Sequence, residues 1–285
     1  MQSAMDKRFV IDGLPESAAR YRTAYAVVTI DVIRATTTAI TAASTGRRCF
    51  PAPSLEGALR LASILDNPIL AGELDGDMPQ SFCLNNSPAA LSERSDISRP
   101  LVLLSSSGTK LMCNAMGSDA AYVACFRNCS SLSRELVAQG HPRIALLGAG
   151  TRGNFREEDQ LCCAWIGAEL TRCGYAPQDR TTSETLERWS NRKSSDCLIS
   201  KSVDYLRRTG QLADLDFILN RVNDLDEVFV LERGEVIMKG PTPRASSHRL
   251  LKKVARGNFL PKTCSIRSTR RAATRECPPR SKKFS

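Results

Sequence analysis

A chain of 285 residues, 42% hydrophobic and 25% charged, is long enough to bury a sizeable α/β core as one large domain or two small ones. Residues 241–285 carry 13 Lys or Arg against Glu276 alone, a net +12, so residues 1–240 hold 27 basic and 29 acidic groups, a net −2. The overall +10 therefore excludes a basic nucleic-acid-binding body and leaves nucleic acid only to the tail, where Phe259 and Phe284 are too few for a stacking platform.

Eleven cysteines lie mostly inside apolar runs, no CxxC pair occurs, and His141 and His248 are remote from any cysteine cluster. That pattern argues against zinc and for reduced thiols in a cytoplasmic protein. The apolar runs are strand-length and the N-terminal residues have no signal-peptide core, so no membrane segment is expected.

Along the chain, Arg8-Phe-Val-Ile11 reads as a short strand. Val27 to Ile30 is a buried β-branched run that ends at Asp31. Arg34 and Thr36-Thr37-Thr38 then open a helix that closes near Gly46. Cys49-Phe-Pro-Ala52 reads as an edge strand because Pro51 lacks a ladder donor, and Ser54 caps a helix from Leu55 to Leu65. Pro68 to Glu73 is a strand ending in an acid, followed by the polar loop Asp75-Gly-Asp77 and a turn, Asn86-Ser87, with Pro88 at the first helical position. Leu101 to Leu104 is a strand that breaks into Ser105-Ser-Ser-Gly-Thr-Lys110, a credible anion cradle before a helix starting near Leu111.

Ala121 to Cys125 and Arg143 to Leu147 are further strands, separated by a helix from about Ser130 to Gln139. Gly148, Gly150 and Gly153 spell GxGxxG. The acids Glu157, Glu158 and Asp159 follow, however, and would repel a dinucleotide's phosphates. They suit either an acidic helix start or a magnesium site. A long helix to about Cys173 precedes a charged, poorly periodic region, 177–196. Helices around Cys197–Arg208 and Leu212–Leu219 follow, then a closing hairpin over 226–238. Residues 241–285 read as a disordered basic tail beside a domain of residues 1–240.

Strand ends thus carry Asp31, Glu73, Ser105, Phe126 and Gly148, with Arg34, Lys110, Arg127 and Arg152 just beyond four of them. If the strands are mostly parallel, these groups share one rim. Carboxylates with guanidinium groups, and no nearby histidine, suit a small, highly anionic substrate held through Mg²⁺.

Six motifs occur in order: Asp31-Val-Ile-Arg-Ala-Thr-Thr-Thr38, Ala71-Gly-Glu73, Asn86-Ser-Pro88, Ser106-Ser-Gly-Thr109, Gly148-Ala-Gly150 and Glu158-Asp159. Together, over roughly Val27 to Asp226, the chain resembles the 2-phosphosulfolactate phosphatase (ComB-like) family of coenzyme M biosynthesis. The resemblance implies a three-layer α/β/α fold with a mostly parallel or mixed sheet, dependence on Mg²⁺, and hydrolysis of 2-phosphosulfolactate or a related phosphorylated hydroxy acid. It also implies site residues. Asp31, Arg34 and Thr37 would be catalytic. Asn86, Ser87, Gly108 and Thr109 would bind substrate, joined by Ser107 of the same turn and by Arg127 and Arg152 of the cationic rim, and Asp31, Glu73, Glu158 and Asp159 would hold the metal. Whether Asp31 is nucleophile, base or ligand stays open. The family's Asn-Gly-Thr turn reads Ser107-Gly108-Thr109 here, which leaves a non-catalytic anion-binding protein on the same scaffold as the alternative. Exposed sheet edges suggest a homodimer.

Overall fold

A computed structural model describes residues 6–151 and 153–240. Among these residues ten strands form one sheet and ten α-helices are found. The strands are β1 Arg8–Gly13, β2 Ala26–Ile30, β3 Cys49–Ala52, β4 Ile69–Gly72, β5 Leu101–Leu104, β6 Ala120–Ala124, β7 Arg143–Gly148, β8 Ala176–Pro177, β9 Val228–Glu232 and β10 Glu235–Lys239. The helices are α1 Ala18–Tyr21, α2 Ala35–Ser44, α3 Leu55–Ile64, α4 Pro88–Ser92, α5 Gly108–Ala115, α6 Cys129–Gln139, α7 Glu157–Arg172, α8 Arg180–Trp189, α9 Lys201–Arg208 and α10 Leu212–Asn220.

The sheet order is β4-β5-β3-β10-β9-β6-β2-β7-β1-β8. The chain is an α/β protein, and its sheet is mostly parallel but mixed. Strands β4, β5 and β3 form one parallel block, and β6, β2, β7, β1 and β8 another. Between the blocks stands the β9–β10 hairpin, antiparallel to β6 on one side and to β3 on the other. The hairpin expected to close the fold therefore sits in the middle of the sheet. Three successive reversals make the two blocks run in opposite directions, and on a flat sheet their carboxyl ends would lie at opposite edges. Twist of about 20–25° per strand accumulates to roughly 100–125° over the five pairings from β5 to β2, turning one block across the other.

Period-two alternation sorts the strand side chains between layers. Val10, Val27, Val123, Leu147, Leu103, Ile69 and Phe229 share one face with the buried side of α2 and α5. Phe9, Val28, Tyr122 and Leu146 point the other way, onto α6 and α7, while Val102 and Leu104 pack with α3. Since residues of both blocks meet the same two helices, α2 and α5 tie the blocks together and fix where β2 and β5 end.

Three sequence-based expectations change. Strand β3 is interior, not an edge. Leu101 donates to the Arg48 carbonyl, so the nitrogen of Pro51 faces β10, and pairing with β10 stops at Cys49. Helix α5 starts at Gly108, a turn earlier than expected. Helix α8 lies within the stretch that showed no apolar period, because its buried face is built from Thr182, Thr185 and Trp189. Asp179 caps it, and the Thr182 hydroxyl accepts the Ile11 N–H at 3.0 Å, docking the helix to β1. The nine cysteines among the described residues are free. Among those residues no helix is long and apolar enough to cross a membrane. The basic tail lies outside the described residues.

Gly72 shows how tightly the chain is routed to the site. Its φ is +149°, and a Cβ there would stand 2.0 Å from the Leu104 carbonyl oxygen. Gly72→Ala is expected to cost at least about 3 kcal/mol in urea unfolding. Gly46→Ala, at φ +83° with open space around it, should cost about 1 kcal/mol. Equal costs at the two positions would contradict this routing.

Candidate active site

Asp31 leaves β2 pointing into a buried acidic cluster. Burial pushes its carboxyl up to about 7, against the Ala35 N–H that favours the anion; the charges of Glu73 and Glu158 add to the rise, and Arg34 opposes it. Glu158 and Asp159, in the first turn of α7, are also buried and also raised, chiefly by burial. Asp159 accepts the N–H of Val32 at 2.9 Å and of Gly150 at 3.3 Å, so it clamps the loops after β2 and β7 together. The hydroxyls of Ser202 and Ser200 stabilise the Glu158 carboxylate, while its Oε2 has no partner among the described residues. Buried polar atoms are rarely left so. An orphaned carboxylate oxygen beside two further acids is the kind of place a cation would complete.

Helix starts surround this cluster. Helices α2, α5 and α7 have no capping bond from the side chain of the residue before them; in α2 the Ala35 N–H serves the Asp31 carboxyl and the Thr36 N–H its carbonyl, and in α5 the Thr109 N–H is held by the Ser105 hydroxyl at 3.0 Å. A Cβ on Gly108 would stand 2.0 Å from Asp31 Oδ2 and 2.6 Å from the Ala35 Cβ, so only glycine lets α5 start against Asp31. Gly148, at the end of β7, serves packing, in line with the reading that the GxGxxG letters there do not form a dinucleotide site. The Phe155 ring lies on Gly148 and Gly13, where a Cβ would come within 2.1 and 2.8 Å of it.

Glu73 reaches the same place from the other block. Its oxygens accept the Ser106 N–H and hydroxyl, both at 2.9 Å, and the Gly76 N–H at 2.8 Å, which binds the loops after β4 and β5 to each other. Above the acids opens a cavity of about 280 Å³ lined by Asp31, Arg34, Glu73, Asn86, Ser106 and Ser107. Arg156 and the α9 residues Lys201, Ser202, Tyr205 and Arg208 complete its wall. Asp31, Arg34 and Glu73, remote in sequence, thus share one pocket.

The profile of the 2-phosphosulpholactate phosphatase family matches residues 13–234. The chain belongs to this family. It is 30% identical over 158 residues to a probable 2-phosphosulfolactate phosphatase of Pseudothermotoga lettingae, covering 55% of this chain and 66% of the relative. A protein of the same name from Symbiobacterium thermophilum is 35% identical over 144 residues, 49% of this chain and 60% of that one. A third, from Synechococcus sp., is 26% identical over 212 residues, 72% and 87% of the two chains. The match therefore spans less than two thirds of the first two relatives and most of the third.

Not every residue singled out in the sequence faces the pocket. Arg34 lines it, but its Nη1 is paired with Asp214 at 2.6 Å and also donates to Gln211, while its Nη2 reaches Asn85 at 3.4 Å. Stranding either partner of such a buried pair costs about 3–5 kcal/mol, so Arg34 is a fixed charge, not a mobile finger. Thr37 is not a cavity residue. Its hydroxyl donates to the Val32 carbonyl at 2.7 Å, inside the α2 start. Ser87 caps α4 and donates to Asp214 at 2.6 Å. Thr109 is fully buried and closes the α5 start on Ser105. Arg127 is turned away from the pocket, held by Asp224 at 2.7 Å and donating to Thr41 at 3.0 Å. These four hold structure instead of touching a ligand. Lys110, expected on the same rim, is exposed and is not among the cavity residues. Asn86 lines the cavity while accepting from Thr38 at 2.7 Å, and Ser107 lines it as the residue before α5. Glu158 and Asp159 lie behind Asp31. Arg152 falls outside the described residues.

Sequence reasoning missed Asp214, Arg156 and the whole contribution of α9. The signal was present in α9, since Lys201, Tyr205 and Arg208 recur at i, i+4 and i+7 on one helical face.

A carboxyl whose folded pKa is raised stabilises the fold fully below the ordinary carboxylate range, and that contribution is lost as pH rises through the folded value. With chelator present, melting temperature is expected to fall by at least about 5 °C between pH 5.5 and 8.5. Asp31→Asn should flatten this slope. A pH-independent melting temperature would mean that Asp31 is not held as a buried acid.

Proposed function

We propose that this chain is a Mg²⁺-dependent phosphomonoesterase that hydrolyses 2-phosphosulfolactate, or a related phosphorylated hydroxy acid, to sulfolactate (or the hydroxy acid) and phosphate. The observation that carries the reading is the single pocket in which Asp31, Glu73 and Arg34 meet Ser107 at the start of α5. Family membership and the relatives' names support the substrate. The nine free thiols suit the cytoplasmic, coenzyme M-forming setting that the family resemblance implies.

Among the described residues no three acidic, cysteine or histidine side chains cage a metal by themselves. Mg²⁺ does not require that, because it commonly binds through one or two carboxylates, its own waters and substrate phosphate. The oxygen-only donor set fits it, and so does the orphaned Glu158 Oε2. Asp31 and Glu158 would be the direct ligands. Glu73 and Asp159, whose oxygens already hold backbone N–H groups, would add charge and keep the loops in place. When bound, the ion would neutralise phosphoryl charge and polarise the attacking water.

The remaining work is positioning and electrostatics, which dominate phosphoryl transfer. The Gly108 N–H at the α5 start and the Ser107 hydroxyl, which has no hydrogen-bond partner among the described residues, would take two phosphoryl oxygens. Arg34, held by Asp214, and Arg156 would offset the charge that accumulates as the ester P–O bond breaks and the water oxygen bonds to phosphorus. Asp31 stands beside the α5 start, where the phosphoryl group would sit, so it is the acid closest to the reacting centre.

Purified protein is expected to release phosphate from 2-phosphosulfolactate with Mg²⁺ and to stop on chelation. Asp31→Asn should lower kcat by about 10³-fold or more while the protein stays folded by circular dichroism. Near-normal turnover by folded Asp31→Asn would remove this residue from the mechanism, and metal-independent turnover would remove Mg²⁺.

A further inference from the structure

Charges of both signs line the pocket. Asp31, Glu73 and Asp75 contribute the acidic part of the wall, and Arg34, Arg156, Lys201 and Arg208 the basic part. Arg34 is spent on Asp214. Lys201 and Arg208 are not: among the described residues neither has an ion-pair partner, and Arg208 makes only a long bond, 3.4 Å, to the Asp204 carbonyl. Their neighbour Arg207, off the cavity face, is paired with Asp204 at 3.3 Å. Arg156 has no ion-pair partner among the described residues either, and its Nη2 donates to the Thr151 carbonyl at 3.4 Å, so Lys201 and Arg208 are the two unpaired cations that α9 brings to the wall.

The helix that carries them is anchored. Ser200 caps it by accepting the Val203 N–H at 3.2 Å, Val203 and Leu206 are buried with Leu215, and the Tyr205 hydroxyl donates to the Gly76 carbonyl at 2.5 Å. This last bond ties α9 to the loop that follows Glu73. Lys201 and Arg208 stand about 10 Å apart along the helix. Lys201 is at the end where Ser200 and Ser202 hold Glu158. Arg208 is at the other end, next to Thr209, which accepts a hydrogen bond from Gln211, a partner of Arg34. A lone phosphate at the α5 start would not need two further cations spread this far along another helix. A small molecule with several acid groups would engage both.

We propose that Lys201 and Arg208 form a second anion subsite, which takes the non-reacting acid groups of the substrate and selects phosphorylated acids bearing a further anion over simple phosphate esters. This rests on the phosphatase reading for the identity of the ligand, but binding of the dephosphorylated acid tests it without turnover. Calorimetry on the full chain with Mg²⁺ should show sulfolactate binding at least about ten-fold tighter than lactate, the gain expected of one charge-assisted contact. Lys201→Ala/Arg208→Ala should reduce that preference to about two-fold or less, and Arg208→Lys, which keeps the charge, should retain more of it than Arg208→Ala. Wild-type protein without the preference, or a folded double variant that keeps it, would overturn the subsite. Failure of wild-type protein to hydrolyse any phosphate ester would instead count against the phosphatase reading alone.

Discussion

Three carboxylates buried within reach of one another are the constraint around which this molecule is built. Asp31, Glu158 and Asp159 are each pushed toward the protonated form by burial, with charge adding from Glu73 and Glu158 at Asp31, from Asp31 and Glu158 at Asp159, and from Glu157 at Glu158. Unoffset, such a cluster would be costly. The fold offsets it with N–H groups: Ala35 toward Asp31, Val32 and Gly150 toward Asp159, and the uncapped starts of α2, α5 and α7 around all three. The compensation is incomplete at Glu158 Oε2. A structural acid would be fully satisfied, so the residual deficit is the strongest sign that the cluster exists for a ligand.

Assembling that cluster with Glu73 requires the two halves of the sheet to deliver their loops to one place while running in opposite directions. The central β9–β10 hairpin reverses the sheet, accumulated twist turns the blocks across each other, and α2 with α5 fills the concave side. The close approach of Gly108 to Asp31 is where this geometry has least tolerance. A methyl group there would occupy the space of the carboxylate.

Strand–loop–helix units were legible because short apolar runs ending at Asp31, Glu73 or Ser105 give way to polar or small residues and then to apolar spacing of period 3.6. The acids were legible too, since their types and order are distinctive. Sheet order was not, because no local pattern reports that the last two strands insert between the first and second blocks. Nor was the fate of cations evident. Arg34, Arg127 and Arg208 look alike in sequence, yet Asp214 claims the first, Asp224 the second and neither the third. Thr37 and Thr109 were misread for a related reason. A hydroxyl near a strand end serves a ligand or a helix start, and only the geometry of that start decides. Helix α8 escaped notice because threonines carry its buried face.

The account stands on the claim that the acids beneath the pocket share one divalent cation. The direct measurement is anomalous diffraction from a crystal soaked with Mn²⁺ and inorganic phosphate. A single strong peak between Asp31 and Glu158 Oε2, with phosphate density against the α5 N-terminus, is the predicted result. An empty acidic cluster, with Mn²⁺ elsewhere or nowhere on the protein, would contradict it.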